Sequence, residues 1–143
     1  MYSTQPQGYL EAELGDWKAS RMFRIGVVDG GLFTFSDFSY NLHHDEAPLI
    51  VISNPRSVLY QMESFEPFWR SFKSTHIRTL VFSKFPLTHV NACITENSKS
   101  NHCLELMELR HVNGPLWVAP WSTNKYQKGL YYITIIASVN VHF

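Results

Sequence analysis

The stretch "STHIRTLVFSKFPLTHVNACITENSKSNHCLELMEL", Ser74 to Leu109, decides the fold. Apolar and polar residues alternate along it in short runs, which is the period of half-buried strands rather than of a helix. With Glu96 to Ser100 as a hairpin loop, Val90 faces Leu106, Ala92 faces Leu104 and Ile94 faces His102 on a buried side. On the other side Asn91 faces Glu105 and Cys93 faces Cys103. The same stretch holds three of the seven histidines and both cysteines, so it could equally be a metal or thiol site.

The chemistry favours the sheet. Opposed strand cysteines can lie at separations a disulfide accepts. In an oxidising compartment Cys93 and Cys103 are placed to bridge; in the cytosol two free thiols are expected. A nucleophilic cysteine needs a nearby base, and His89 is four residues from Cys93 along extended chain, too far for contact. Zinc would need a fourth ligand beyond His89, Cys93 and Cys103. No catalytic, cofactor-binding or metal-ligating residue is assigned to this chain.

Outward from that stretch, further strands are expected at "LIVISNP", at "LWVAPW" after the Asn113-Gly114-Pro115 turn, and at "YYITIIASV" after "NKYQKG". Short strands with turn residues every ten or so positions predict an all-β, antiparallel sandwich. Ahead of it, "YLEAEL" alternates as a strand, and "FRIGVVDGGLFTFSDF" predicts a hairpin; together they make a β-hairpin or a three-strand meander. A three-residue Asp29-Gly30-Gly31 loop sets Val27 opposite Phe33 and Ile25 opposite Phe35, giving one apolar face. A Gly30-Gly31 two-residue loop sets Val27 opposite Thr34 and Ile25 opposite Ser36 and mixes the faces, so the three-residue loop is expected. Residues 56–73 form a crossover whose aromatic residues Phe65, Phe68, Trp69 and Phe72 keep helical spacing around Pro67. Phe65, Phe68, Trp69 and Trp121 are candidate interaction residues; Trp117 is expected in the core, and Tyr131 as a corner anchor.

The chain of 143 residues suits one domain, or one domain and part of another, and its twelve Lys and Arg balance twelve Asp and Glu. That neutrality argues against a nucleic-acid surface. The N-terminus lacks the pattern of a signal peptide. The most apolar run, "LYYITIIASV", is about half of what a spanning helix needs. "HHDE", His43 to Glu46, is expected to be a solvated loop, because adjacent residues of extended chain point apart. No P-loop, dinucleotide fingerprint, nucleophile elbow or HExxH motif occurs.

The segments "ELGDWKASRMFRIGVVDGGLFTFSDF", "PLIVISNPRSVLY", "EPFWRSFKSTHIRTLVFS", "GPLWVAPW" and "YQKGLYYITIIA" resemble, in order and spacing, the membrane calcineurin-like metallophosphoesterase family typified by transmembrane protein 62. "STHIR" before an apolar strand and the Asn-Pro after "PLIVIS" are the most distinctive parts. The resemblance implies that residues 1–40 are the terminal strands of a phosphoesterase-like domain, 41–47 a linker, and 48–143 an immunoglobulin-like sandwich. It also implies that the last strand and a membrane region are missing, so that the chain reads as a fragment or a shortened isoform. The family's DxH, GDxxD, GNH and GHxH patterns, which hold two divalent metal ions, do not occur here. The implied role is a non-catalytic structural or interaction module, with the rest of the phosphoesterase domain or a strand-donating partner as its neighbour. The alternatives are part of a metal-dependent phosphoesterase whose catalytic residues lie outside the chain, and a stand-alone binding protein. Membrane association is implied by the resemblance alone.

Overall fold

The computed structural model describes residues 2–4, 10–12, 18, 21–40, 47–61, 64–67, 69–96 and 102–140. Among the described residues the strands are β1 (Tyr2–Thr4), β2 (Leu10–Ala12), β3 (Met22–Asp29), β4 (Leu32–Ser39), β5 (Leu49–Asn54) and β6 (His76–Phe82). They continue with β7 (Leu87–Thr95), β8 (Glu105–Glu108), β9 (Arg110–Asn113), β10 (Leu116–Pro120) and β11 (Tyr132–Val139). Among the described residues, the crossover between β5 and β6 contains a 3-10 turn, Val58–Tyr60, and a short helix, Trp69–Phe72.

Two sheets make the sandwich, one ordered β5-β6-β10-β9 and the other β11-β7-β8. All their pairings are antiparallel. Four strands in that order over a three-stranded partner is the immunoglobulin-like arrangement. Its interior is Ile77, Val81, Val90, Ala92, Ile94, Leu109, Ala119 and Trp121. Tyr131, Ile133, Ile135 and Ala137 pack against this core from β11 and the residue before it, as alternation predicts.

Two details differ from expectation. β7 and β8 pair Asn91 with Glu108, Ala92 with Met107, Cys93 with Leu106 and Ile94 with Glu105, three places from the register read off the sequence. An odd shift inverts the faces of one strand. Leu104 and Leu106 therefore point to solvent, at 49% and 61% exposure, while Met107 packs on the core. Secondly, the β3–β4 hairpin closes on Gly30-Gly31 alone, pairing Val27 with Thr34 and Ile25 with Ser36. Both glycines have positive φ, 59° and 81°, as a two-residue type I′ turn requires, and turn geometry overrides the tidier apolar face. Ahead of the sandwich, β3 and β4 form the expected hairpin, and β1 and β2 pair with each other in a separate two-stranded sheet.

The segment "LELMELRHVN" is not one strand. It runs as β8 in one sheet, passes between the layers at Leu109, and continues as β9 in the other. Leu109 is 2% exposed, and its N–H donates to the Val90 carbonyl.

The hairpin adds a third layer. Ile50 packs toward the sandwich core, so alternation turns Val51 the other way, yet Val51 is fully buried. Both hairpin strands lie against β5, and Leu32 and Thr34 of β4 are themselves buried. The β5 edge of that sheet is thus covered on both faces. We expect Leu109→Ala to lower unfolding free energy by about 2–5 kcal/mol, and Leu106→Ser to change it by less than about 0.5 kcal/mol, in urea titrations. The expected sequence register would reverse that order.

Candidate functional site

The feature built from the most separate elements is the joint between the hairpin tip and the sandwich. Arg78 of β6 lies between Ile77 and Thr79, both fully buried on the core face, so its own side chain projects toward the hairpin. There it grips Asp29 with two prongs, Nε to Oδ2 at 2.6 Å and Nη2 to Oδ1 at 2.9 Å. The β5 ladder shifts register between Ile52 and Asn54, leaving Ser53 as the extra residue of a bulge. Bulges re-aim side chains, and the Ser53 hydroxyl donates to Asp29 Oδ2 at 3.0 Å. From the crossover, Arg70 Nη1 donates to the Gly30 carbonyl. A Cβ on Gly31 would lie only 3.2 Å from that nitrogen, so glycine serves both turn and approach.

The distinctive sequence pieces meet beside this joint. The Asn54 amide donates to the Ser74 hydroxyl and the His76 carbonyl, and the Ser74 hydroxyl also donates to the His76 carbonyl, at 2.9 Å. Asn54 and Ser74 are buried, so these bonds satisfy groups cut off from water. Behind them Arg56, 7% exposed, is paired with Glu66, and burial pulls the guanidinium pKa below its ordinary value.

A second polar cluster closes the same end of the sandwich. Trp121 Nε1 donates to the Tyr126 hydroxyl at 3.2 Å, and that hydroxyl donates to Glu105 Oε2. Lys125 Nζ donates to Glu105 Oε1 at 2.9 Å. Hydrogen bonds from Tyr126, then from Lys125, hold the Glu105 pKa below its ordinary value against the opposing effect of burial. Burial, then the bond to Glu105, pushes Tyr126 up to about 12.

Trp121, a candidate interaction residue by sequence, is 9% exposed and belongs to the core, where its indole N–H finds the Tyr126 oxygen. Trp117 is half-buried against the core, with His111 at 5.1 Å between ring centroids. Tyr131 packs on Tyr126, ring centroids 5.1 Å apart, and the hydroxyl anchor is carried by Tyr126. Phe65 and Trp69 are 65% and 55% exposed on the crossover; Phe68 and the His43 to Glu46 stretch lie outside the described residues. Cys93 and Cys103 form a disulfide with Cα atoms 5.4 Å apart. Because Cys93 sits opposite Leu106 in the ladder, Cys103 reaches it from the connection just ahead of β8. His89 lies 3.2 Å from Glu108 and is not brought to the cysteines. Among the described residues, no group of three or more His, Cys, Asp and Glu could hold a metal ion. Among them, too, no helix is long and apolar enough to cross a membrane.

The sequence profile of the TMEM62 Ig-like domain matches residues 44–141. The chain belongs to that family. It is similar to "Transmembrane protein 62" of Mus musculus, with 37% identity over 128 residues. That likeness covers 90% of this chain and 18% of the relative, so the chain spans less than a fifth of the relative's length. A stretch of 128 residues within 143 cannot miss the hairpin, so the TMEM62 likeness takes in the joint as well as the Ig-like domain. No solved structure matches the chain significantly.

Sequence reasoning missed Asp29 and Arg78 as partners, since nothing local links positions so far apart. The near-continuous apolar run "PLIVIS" is the signal that could have found the covered face, because a strand buried on both sides loses its alternation.

We expect Asp29→Ala to destabilise the chain by about 1–3 kcal/mol, and a cycle with Arg78→Ala to return a coupling of about 1 kcal/mol. Hydrogen exchange should quicken in β3 and β4 while β7 and β10 stay protected. For Tyr126, the folded state keeps a proton that the unfolded chain loses near its ordinary value of 10.0. Its contribution is therefore intact below about pH 10 and declines as pH rises toward about 12. Urea titrations across that range should show a shallower alkaline decline in Tyr126→Phe. Glu105 behaves oppositely: its contribution is present above its unfolded pKa and is lost as pH falls through the lowered folded one.

Proposed function

We propose that this chain is a non-catalytic structural and interaction module of a longer membrane protein of the same kind as its mouse relative. The observation that carries the proposal is the grip on the hairpin tip: Arg78, Ser53 and Arg70 converge on Asp29 and Gly30 from three segments of the sandwich and its crossover. In this reading, residues 1–40 are the terminal strands of a phosphoesterase-like domain, 41–47 the linker and 48–143 the Ig-like domain. The sandwich fixes how the preceding domain sits, and the rest of that domain is its first partner.

One further feature supports an interaction role. Among the described residues, β11 is hydrogen-bonded on one side only, to β7, and its sequence "YITIIASV" carries no charge and no proline. Such an edge accepts an added strand, from the longer protein or from a partner. Two divalent metal ions would belong to the phosphoesterase-like domain; the described residues of this chain do not fit them, gathering no set of ligands.

The test is a phosphodiesterase assay of the purified chain with added Mn²⁺ and a phosphodiester reporter. No hydrolysis above buffer is expected. Turnover that disappears when the chain's histidines are replaced would overturn the proposal.

A further inference from the structure

The crossover between β5 and β6 presents an unusual surface. Leu59, Phe65, Trp69 and Phe72 are 78%, 65%, 55% and 63% exposed within fourteen positions. Scattered exposed apolar residues need no explanation, but several large ones on one short segment mark a contact site.

Among the described residues, the charged groups beside the Trp69 ring are cationic. The Lys73 ammonium lies 5.0 Å from the Trp69 ring centroid and the Arg70 guanidinium 5.6 Å from it. Among the described residues of the crossover, Glu66 is the single carboxylate, and it faces inward to the buried Arg56. Large apolar rings with cations at their margin suit the boundary between acyl chains and anionic headgroups, where tryptophan settles and lysine reaches phosphate.

Topology places this surface at an end of the sandwich, not on its flank. The Thr123 hydroxyl donates to the Phe72 carbonyl at 2.6 Å and the Trp121 N–H to the Thr75 carbonyl at 2.9 Å, joining the crossover to the loop that leads into β11. β11 begins at this end and runs away from it. A strand laid antiparallel along its open edge would run back and deliver the following chain here.

We propose that the crossover surface of Leu59, Phe65, Trp69 and Phe72, with Arg70 and Lys73, seats the Ig-like domain on an anionic bilayer surface. This rests on the membrane setting proposed above, and it names the face that meets the lipid.

The test is co-sedimentation of the intact chain with vesicles of phosphatidylcholine and phosphatidylserine in equal parts, against vesicles of phosphatidylcholine alone. Binding to the anionic vesicles is expected, with fluorescence quenching by ring-depth brominated lipid that is lost in Trp69→Phe. Lys73→Glu should weaken anionic binding by about tenfold, and the double variant Trp69→Ser, Phe72→Ser should abolish it. Both variants change exposed side chains, and near-UV circular dichroism checks that they fold. No binding by the native chain would overturn the proposal, as would binding that survives the double variant. So would analytical ultracentrifugation showing this surface occupied by a second copy of the chain. Failure here would leave the absence of phosphodiester turnover and the Asp29–Arg78 coupling untouched, so the two readings fail separately.

Discussion

The two-pronged contact between Arg78 and Asp29 sets where the hairpin sits, and the covering of the outer sheet face depends on that placement. The ion pair itself is partly open to water, with side-chain exposures of 33% and 21%, so screening keeps its net contribution modest. The larger stabilisation comes from apolar surface. Burying a valine such as Val51 contributes about 1.5–3 kcal/mol, and Leu32 adds burial from the other side. The charges supply direction, and the apolar contact supplies most of the free energy. Ser53 and Arg70 then remove the remaining freedom of the turn by binding its carboxylate and its carbonyl.

Much of the sandwich was legible because alternation is a strong signal where one face is buried. β11 displays it along its whole length, and β6 and β7 show it at Ile77, Thr79 and Val81 and at Val90, Ala92 and Ile94. The β7–β8 register was not legible, because the second strand offers apolar residues on both parities. Leu104 and Leu106 compete with Met107 and Leu109, and the choice falls to contacts distant in sequence. Glu105 must face Tyr126 and Lys125, and Leu109 must pass between the sheets. Pairing the two cysteines directly across the ladder reached the bridge through the wrong register: the bond forms from the connecting segment, outside the ladder.

The tryptophans illustrate the same limit. Parity along β10 treats Trp117 and Trp121 alike, and Pro120 between them suggests that the second leaves the sheet. It does leave the ladder, yet it turns inward, because Tyr126 five residues later offers an acceptor for the indole N–H and Glu105 accepts from Tyr126 in turn. A buried aromatic residue with a polar handle is placed by its partner as much as by its surface area. The candidate joint was hidden for a related reason. The motifs "STHIR" and Asn54-Pro55 stood out as text, but their neighbours in space are a hairpin tip more than twenty residues upstream and a crossover between them.

The passage through Leu109 ties the two sheets by a single unbroken run of backbone, with no loop between β8 and β9 to take up slack. An insertion or deletion of one residue between Glu105 and Leu109 therefore has no loop to absorb it, whereas β9 already carries a bulge against β10 at Val112. Such a change would turn either Met107 outward or the β9 pairing with β10 out of step, and one of the sheets would lose an edge. Length is under tighter constraint in this segment than side-chain identity, the reverse of what is usual for a stretch so exposed.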